Sequence, residues 1–205
     1  MNARKIPDII IGRLPVYLRA LQRMADMGLK TTSSQELGEH VGISAAQIRK
    51  DISQFGEFGK QGTGYSIEYL IGQLREILKV DRIWDVIVVG AGDMGHAVVN
   101  YQGFQDRGFH IVAIFDNDKG KVGQVIGKFT VEDTETMSER VKEMGVKVAM
   151  LAVPAAAAQQ VADQLMQAGV RAFLNYAPIS LAVPGNVKVQ YIDPSIHLQR
   201  MTYYL

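Results

Sequence analysis

The sequence predicts an α/β chain in which a small, mostly helical N-terminal unit precedes a parallel-sheet domain and a last helix. Three observations carry that expectation. Residues Ser33 to Phe55 read as two short capped helices around a glycine turn. Residues Val86 to Asp116 read as a strand, the turn Gly90-Ala91-Gly92-Asp93-Met94-Gly95, a helix, a second strand and an acid at its end. Behind them apolar strands alternate with helices, which implies a parallel sheet covered on both faces.

With 205 residues, 47% of them hydrophobic and 21% charged, the chain has material for one large core or two small ones. Its net charge of +1 hides an asymmetry. Residues 1–80 carry 11 Lys and Arg against 8 Asp and Glu, whereas residues 81–205 carry 11 against 13. A basic front and an acidic back fit nucleic acid at the N-terminal end. There is no cysteine, so disulfides, thiolate metal sites and thiol redox sensing are excluded. No apolar run approaches the roughly 18 residues of a membrane span. Near the start, after its charges, the only apolar run is Ile9-Ile10-Ile11, too short for a signal peptide. The expectation is a cytoplasmic protein with no membrane partner.

In the first unit, Pro15 suits the first turn of a helix that continues to about Met27 and stops at Gly28. Leu14, Leu18, Leu21 and Ala25 form its apolar stripe. That leaves Arg13 and Arg23 more exposed and Arg19 close to the stripe, partly buried in a salt bridge. Ser33 with Glu36, and Ser44 with Gln47, are spaced as capping boxes, and Val41-Gly42-Ile43 makes the turn between two short helices. On the second of these helices Ile48, Ile52 and Phe55 face inward, so Gln47, Arg49, Lys50, Ser53 and Gln54 turn outward. The glycine-rich stretch Gly56 to Tyr65 reads as a hairpin, a wing, with Lys60 near its tip. Ser66 then caps a helix carrying Ile67, Leu70, Leu74, Ile77 and Leu78, and a boundary falls near Val80-Asp81-Arg82. The domains are thus expected at 1–80, 81–192 and 193–205.

Beyond the boundary, strands are expected at Val86–Val89, Ile111–Phe115, Val148–Val153, Ala172–Leu174 and Val187–Ile192. Helices are expected at Met94–Arg107, Thr134–Met144, Ala156–Ala168 and from Ser195 to about Tyr204.

The Gly90–Gly95 turn has the chemistry of a dinucleotide cradle. Its glycines permit a tight turn, close approach of backbone to pyrophosphate, and close packing of helix on strand. Free amides and the helix dipole favour the phosphates. Asp116, about 20 residues on, can accept both ribose hydroxyls and selects NAD(H) over the phosphorylated dinucleotide by repulsion. In the first unit Ser44, Gln47, Arg49 and Lys50 are placed for a major groove, and Lys60 for a narrow groove beside it. Metal and catalytic readings find nothing. His40, His96, His110 and His197 lack ligand spacing, no Tyr has a Lys four residues later, and no catalytic pair is evident.

The residues that carry these readings also carry a resemblance. Arg13–Arg19, Gln47–Gly56 and Gly62-Thr63-Gly64-Tyr65 are similar to the DNA-binding part of the Rex family, the bacterial redox-sensing transcriptional repressors. Gly90–Gly95, Asn100-Tyr101-Gln102-Gly103-Phe104, Phe115-Asp116, Val153-Pro154-Ala155, Asn175-Tyr176-Ala177-Pro178 and Asp193 are similar to its NAD-binding part. The resemblance spans nearly the whole chain. It implies a winged-helix domain, a Rossmann domain behind it, and a C-terminal helix exchanged between the protomers of a homodimer. It further implies binding of double-stranded operator DNA, an inverted repeat, with release when NADH replaces NAD⁺. Cofactor contacts are then implied at Tyr101, Val153, Pro154, Ala177 and Pro178 as well as at the glycine turn and Asp116. Tyr101, Asp193 and Arg19 match a polar switch network, although Pro194 stands where the family commonly has an apolar or aromatic residue. Two other readings remain at this stage: an NAD-dependent oxidoreductase with an N-terminal dimerisation module, and an architectural DNA-binding protein with a vestigial Rossmann domain.

Overall fold

A computed structural model describes residues 6–60 and 64–205. The chain divides between Arg82 and Ile83 into two compact units.

The first unit runs α1 (Asp8–Asp26), β1 (Thr31–Thr32), α2 (Ser34–Val41), α3 (Ala45–Ile52), β2 (Gly59–Lys60), β3 (Gly64–Ser66) and α4 (Ile67–Ile77). The strands form a small antiparallel sheet in the order β1-β3-β2. Helices α2 and α3 with the β2–β3 hairpin make the arrangement of a winged helix. The tip of that hairpin, 61–63, lies outside the described residues, as does the side chain of Lys60. Leu14, Tyr17, Leu21 and Met24 of α1, Leu37 of α2, Ile48 and Ile52 of α3, and Ile67, Leu70 and Leu74 of α4 share one core.

Helix starts follow the local chemistry. Ser33 and Glu36 form the reciprocal capping box, whereas Ser44 caps α3 without a return bond from Gln47, whose amide goes to Asp51. Gly42 ends α2 in the left-handed conformation at φ +70°. Helix α1 departs from expectation by beginning at Asp8, two turns ahead of Pro15, with Pro7 before it. An interior proline costs about 3 kcal/mol. The two added turns offset it by burying Ile10 and packing Ile11 on the core. The stripe is also rotated: Tyr17 and Met24 are buried and Ala25 is exposed.

The second unit contains β4 (Trp84–Val89), α5 (Asp93–Asn100), a 3-10 turn (Gln102–Arg107), β5 (Phe109–Asp116), β6 (Val125–Ile126), β7 (Phe129–Asp133), α6 (Thr134–Met144), β8 (Val148–Leu151), α7 (Ala155–Ala168), β9 (Ala172–Asn175), β10 (Lys188–Tyr191) and α8 (Pro194–Thr202). Its sheet has the order β10-β9-β8-β4-β5-β7-β6, with only the β6–β7 pairing antiparallel. Alternate residues of β4 serve opposite faces. Ile87 and Val89 join Met137 and Val141 of α6 and Ala158, Ala162 and Leu165 of α7, while Val86 and Val88 join Val98 of α5. This is a Rossmann sheet covered on both faces.

Two elements differ from the sequence reading. The helix expected to run to Arg107 stops at Asn100, Tyr101 is extended (ψ 107°), and a 3-10 turn follows. Arg107 Nη1 closes that turn on the Gly103 carbonyl and Tyr101 Oη, a side-chain lock with no periodic signature. The β6–β7 hairpin was not expected. It turns at Gly127 (φ +60°) and adds β7 beside β5.

Gly38 sets the spacing of α2 and α3. A Cβ there would stand 2.5 Å from the Ile43 carbonyl oxygen, well inside contact distance. Alanine is the better helix former, yet Gly38→Ala is expected to destabilise the first unit by about 1–3 kcal/mol through that overlap. Segment-resolved amide hydrogen exchange would read the loss. Unchanged protection in α2 and α3 would contradict the close crossing.

Candidate functional site

Two surfaces carry the chemistry, one in each unit. In the first, α3 is the second helix of the helix-turn-helix. Its outward residues Ser44, Arg49 and Lys50 are exposed. Arg49 Nη1 donates to Ser34 Oγ at 3.0 Å, which steadies its guanidinium against the start of α2. Lys50 extends from the last turn. Gln47 behaves otherwise. It is half-buried and donates from Nε2 to Asp51 Oδ1 at 2.6 Å, so one of its two amide hydrogens is already engaged.

Asp51 lies on the inward arc beside Ile48 and Ile52, with no exposed surface. Four hydrogen bonds meet its carboxylate. Arg13 donates through Nε at 2.6 Å and Nη2 at 2.7 Å, Tyr17 Oη at 2.7 Å, and Gln47 as above. Burial alone would raise its pKa, but the Arg13, Tyr17 and Gln47 hydrogen bonds and the Arg13 charge bring it below the usual carboxylate range. Burial, followed by donation to Asp51, pushes the Tyr17 phenol up. The network locks α1 to α3, and it corrects the reading of two arginines. Arg13 is the ion-paired residue, whereas Arg19 is exposed and forms no ion pair among the described residues.

The second surface is a cleft of about 710 Å³ at the C-terminal ends of β4, β5 and β8. Sheet order reverses between β4 and β8, where open α/β sheets place their ligands. Gly90, Gly92, Asp93, Met94, Asp116, Val153 and Pro154 line the cleft, as do Tyr176, within a stretch the resemblance matched, and Lys121, Gln160 and Gln164, which sequence reasoning missed. Asp116 is buried, and both its oxygens are used. Oδ2 accepts from Ala91 N–H at 2.7 Å and Oδ1 from Asp118 N–H at 2.8 Å. Burial raises its pKa, while those amides and Lys121 outweigh burial and hold the carboxyl below its ordinary range.

The three glycines of the turn have different reasons to be glycine. Gly90 has φ +103°, and a Cβ there would overlap the Ala152 carbonyl. At Gly95 it would overlap the Gly90 carbonyl. Gly92 has φ −84° and no neighbour within 4 Å of a Cβ position. Nothing in the fold requires glycine at 92. It opens α5 without a side-chain cap, leaving the first-turn amides available to an anion.

Some expected cofactor and switch residues lie apart from this cleft. Tyr101 is exposed on a separate recess with Phe104 and Phe129, its ring edge-on to Phe104. Ala177 is buried, its N–H donating to Asn175 Oδ1 at 3.0 Å, and neither it nor the exposed Pro178 lines the cleft. Asp193 caps α8, accepting from Ser195 N–H and Oγ–H, with Pro194 at the first helical position. The departure at Pro194 thus suits a helix start. No group of three or more His, Cys, Asp or Glu among the described residues could hold a metal.

Asp51→Ala would leave Arg13 and Tyr17 without their acceptor, and is expected to cost the first unit about 3–5 kcal/mol. Because the folded pKa is depressed, the stability Asp51 contributes is present above its unfolded value, about 3.9. It is lost as pH falls through the lower folded value. Exchange protection of α1 and α3 should therefore drop in the variant at neutral pH and converge with the unsubstituted protein in strong acid. Equal protection at neutral pH would contradict the network.

Comparison with known proteins follows this division. Residues 5–53 match the family described as "Putative DNA-binding protein N-terminus", and residues 81–179 match "CoA binding domain". A Chloroflexus aggregans protein named "Redox-sensing transcriptional repressor Rex" is 51% identical over 199 residues, covering 97% of this chain and 94% of its own. One of the same name from Desulforamulus reducens is 45% identical over 205 residues, covering 100% and 98%. The crystal structure of RSP with beta-NAD+ and operator DNA has a TM-score of 0.92 at 37% identity, covering 97% of this chain and 92% of that one. RSP with beta-NADH has a TM-score of 0.89 at 34% identity, covering 98% and 94%.

Proposed function

The chain belongs to the Rex family of redox-sensing transcriptional repressors, and we propose that it binds an inverted-repeat operator as a homodimer and releases it when NADH replaces NAD⁺. It is a repressor and not an enzyme, as its near-full-length relatives are repressors. The observation that carries the nucleotide half is the uncapped start of α5 at Gly92, beside an ionised Asp116. Pyrophosphate takes the free amides there, and the adenosine ribose reaches the acid. Nucleotide recognition rests on Gly90, Ala91, Gly92, Asp93, Met94, Gly95 and Asp116, with Val153 and Pro154 as the opposite wall.

For DNA, α3 enters the major groove with Ser44, Arg49 and Lys50 outward and Gln47 at its edge, and Lys60 on the wing reaches the backbone or minor groove. Two copies place their α3 helices about 34 Å apart along the duplex, as an inverted repeat requires. Helix α8 supports the homodimer. It has no buried residue and exposes Ile196, Leu198 and Met201, an apolar surface suited to exchange with a second copy. A cytoplasmic location suits a protein that reads both operator DNA and the nucleotide pool.

The switch needs only a differential affinity. NAD⁺ carries a positive nicotinamide ring and NADH a neutral one. Asp193 and Tyr101 register that difference, and Arg19, exposed on α1, passes it to the DNA-binding unit.

Titrating an inverted-repeat operator fragment with protein in NAD⁺ and then in NADH tests the reading. The expected difference is a coupling of about 1–3 kcal/mol, roughly 5- to 150-fold in operator affinity. Lys50→Ala should weaken operator binding by about 1–3 kcal/mol and leave NADH binding unchanged. Operator affinity indifferent to nucleotide would remove the sensor reading.

Gly92→Ala separates fold from ligand. The position is open, so the variant should melt within about 1 kcal/mol of the unsubstituted protein. Its NADH affinity should nonetheless fall, because a methyl group would stand where backbone approaches pyrophosphate. Calorimetry showing normal NADH binding would place the phosphates elsewhere.

A further inference from the structure

The carboxylate that ends β5 offers fewer free acceptor positions than a ribose diol can use. Asp116 Oδ2 accepts from Ala91 N–H and from Lys121 Nζ, the latter at 3.2 Å, and Oδ1 accepts from Asp118 N–H. An ionised carboxylate has about four acceptor positions, so roughly one remains for a ligand. The two backbone donors are fixed by the chain. Lys121 is different: its side chain is 37% exposed against 8% for Asp116, and it lines the same cleft. A ribose arriving here meets a carboxylate–ammonium pair and not a lone acid. The other charged groups of this loop do not replace it. Lys119 is held by Asp133 and Glu135, and Asp118 Oδ1 accepts from Gly120 N–H.

We infer that Lys121 is a specificity-determining residue for the adenosine ribose: its ammonium donates to a ribose hydroxyl oxygen and offsets the charge by which Asp116 alone would repel a 2′-phosphate. The inference rests on the nucleotide reading above and refines it. A lone acid at this strand end rejects the phosphorylated dinucleotide by like-charge repulsion, whereas a nearby cation accommodates the phosphate. With both present, much of the repulsion at phosphate distance cancels. Discrimination between NADH and NADPH in this chain is therefore narrower than Asp116 by itself would produce, and Lys121 sets how narrow.

The test is a calorimetric titration of the intact protein with NADH and with NADPH, repeated for Lys121→Met, Lys121→Arg and Asp116→Asn. The unsubstituted protein should bind NADPH more tightly than Lys121→Met does. NADPH binding no weaker in Lys121→Met would overturn the proposal. Lys121→Met should weaken NADPH about tenfold more than NADH, because the acid is then left uncompensated. Lys121→Arg, which keeps the charge, should hold the ratio to within about threefold. Asp116→Asn should move the ratio toward NADPH. An unchanged ratio in Lys121→Met, whether NADH binding is retained or falls equally with NADPH, would make Lys121 a uniform anchor and overturn the inference. Failure of the unsubstituted protein to bind NADH would instead remove the underlying nucleotide reading, and the inference with it.

Discussion

Asp51 governs how the N-terminal unit presents its outer face. A carboxylate with no exposed surface is stable in a core only when its charge is met and its lone pairs are filled. Here three of the four donated bonds come from α1 and one from α3 itself. The recognition helix therefore cannot rotate or slide on α1 without stranding a buried charge. Apolar packing of Ile48 and Ile52 would hold α3 against the core with some freedom of azimuth. The bidentate Arg13 fork adds a fixed direction. Arg49 and Lys50 leave the surface where they do because Asp51, one and two positions away, cannot move.

The second unit uses the same device for a different end. Asp116 stands at the C-terminal end of β5 and takes Ala91 N–H from the neighbouring turn, so the strand end and the glycine turn hold each other. Gly90 and Gly95 are then required by close backbone approach within the chain, at Ala152 and at each other. Gly92 alone is free of that demand. A position that the fold does not constrain, at an uncapped helix start, is where a ligand's requirement can be separated from the protein's own. Both candidate surfaces are thus built outward from a buried aspartate, one presenting basic side chains and the other free amides.

How much of this was legible in the sequence depends on whether a feature is periodic or paired. The helix-turn-helix, the Gly90–Gly95 turn and the alternating strands follow from local spacing, and they stand where that spacing places them. Asp51 and Arg13 did not announce themselves, because their pairing spans 38 residues and helical periodicity contains no partner information. The signal available was that Asp51 shares an arc with Ile48 and Ile52, where an acid must be met by a cation. Periodicity instead points salt-bridge chemistry to Arg19, which is exposed. The break at Tyr101 escaped for a related reason: Arg107 folds back on Gly103 and Tyr101, a local lock invisible to an apolar stripe. The β6–β7 hairpin is short, and its strands carry too few apolar positions to stand out.

Affinity and signalling are separated within the nucleotide-binding unit. The cleft is lined by the glycine turn, Asp116 and the Val153-Pro154 wall, all suited to adenosine and pyrophosphate, which NAD⁺ and NADH share. Contacts common to both ligands raise occupancy and shift no equilibrium between protein states. Tyr101 and Asp193, the two proposed switch residues of this unit, do not line the cleft. Tyr101 is turned toward Phe104 and Arg107, and Asp193 caps the first turn of α8 through Oδ1. Both keep capacity for a ligand: the Tyr101 O–H can still donate while its oxygen accepts from Arg107, and neither bond to Asp193 uses Oδ2. The cap itself rests on Oδ1 alone, on a helix with no buried residue. A ligand that draws Asp193 away from Ser195 would act first on α8, whose Ile196, Leu198 and Met201 are exposed.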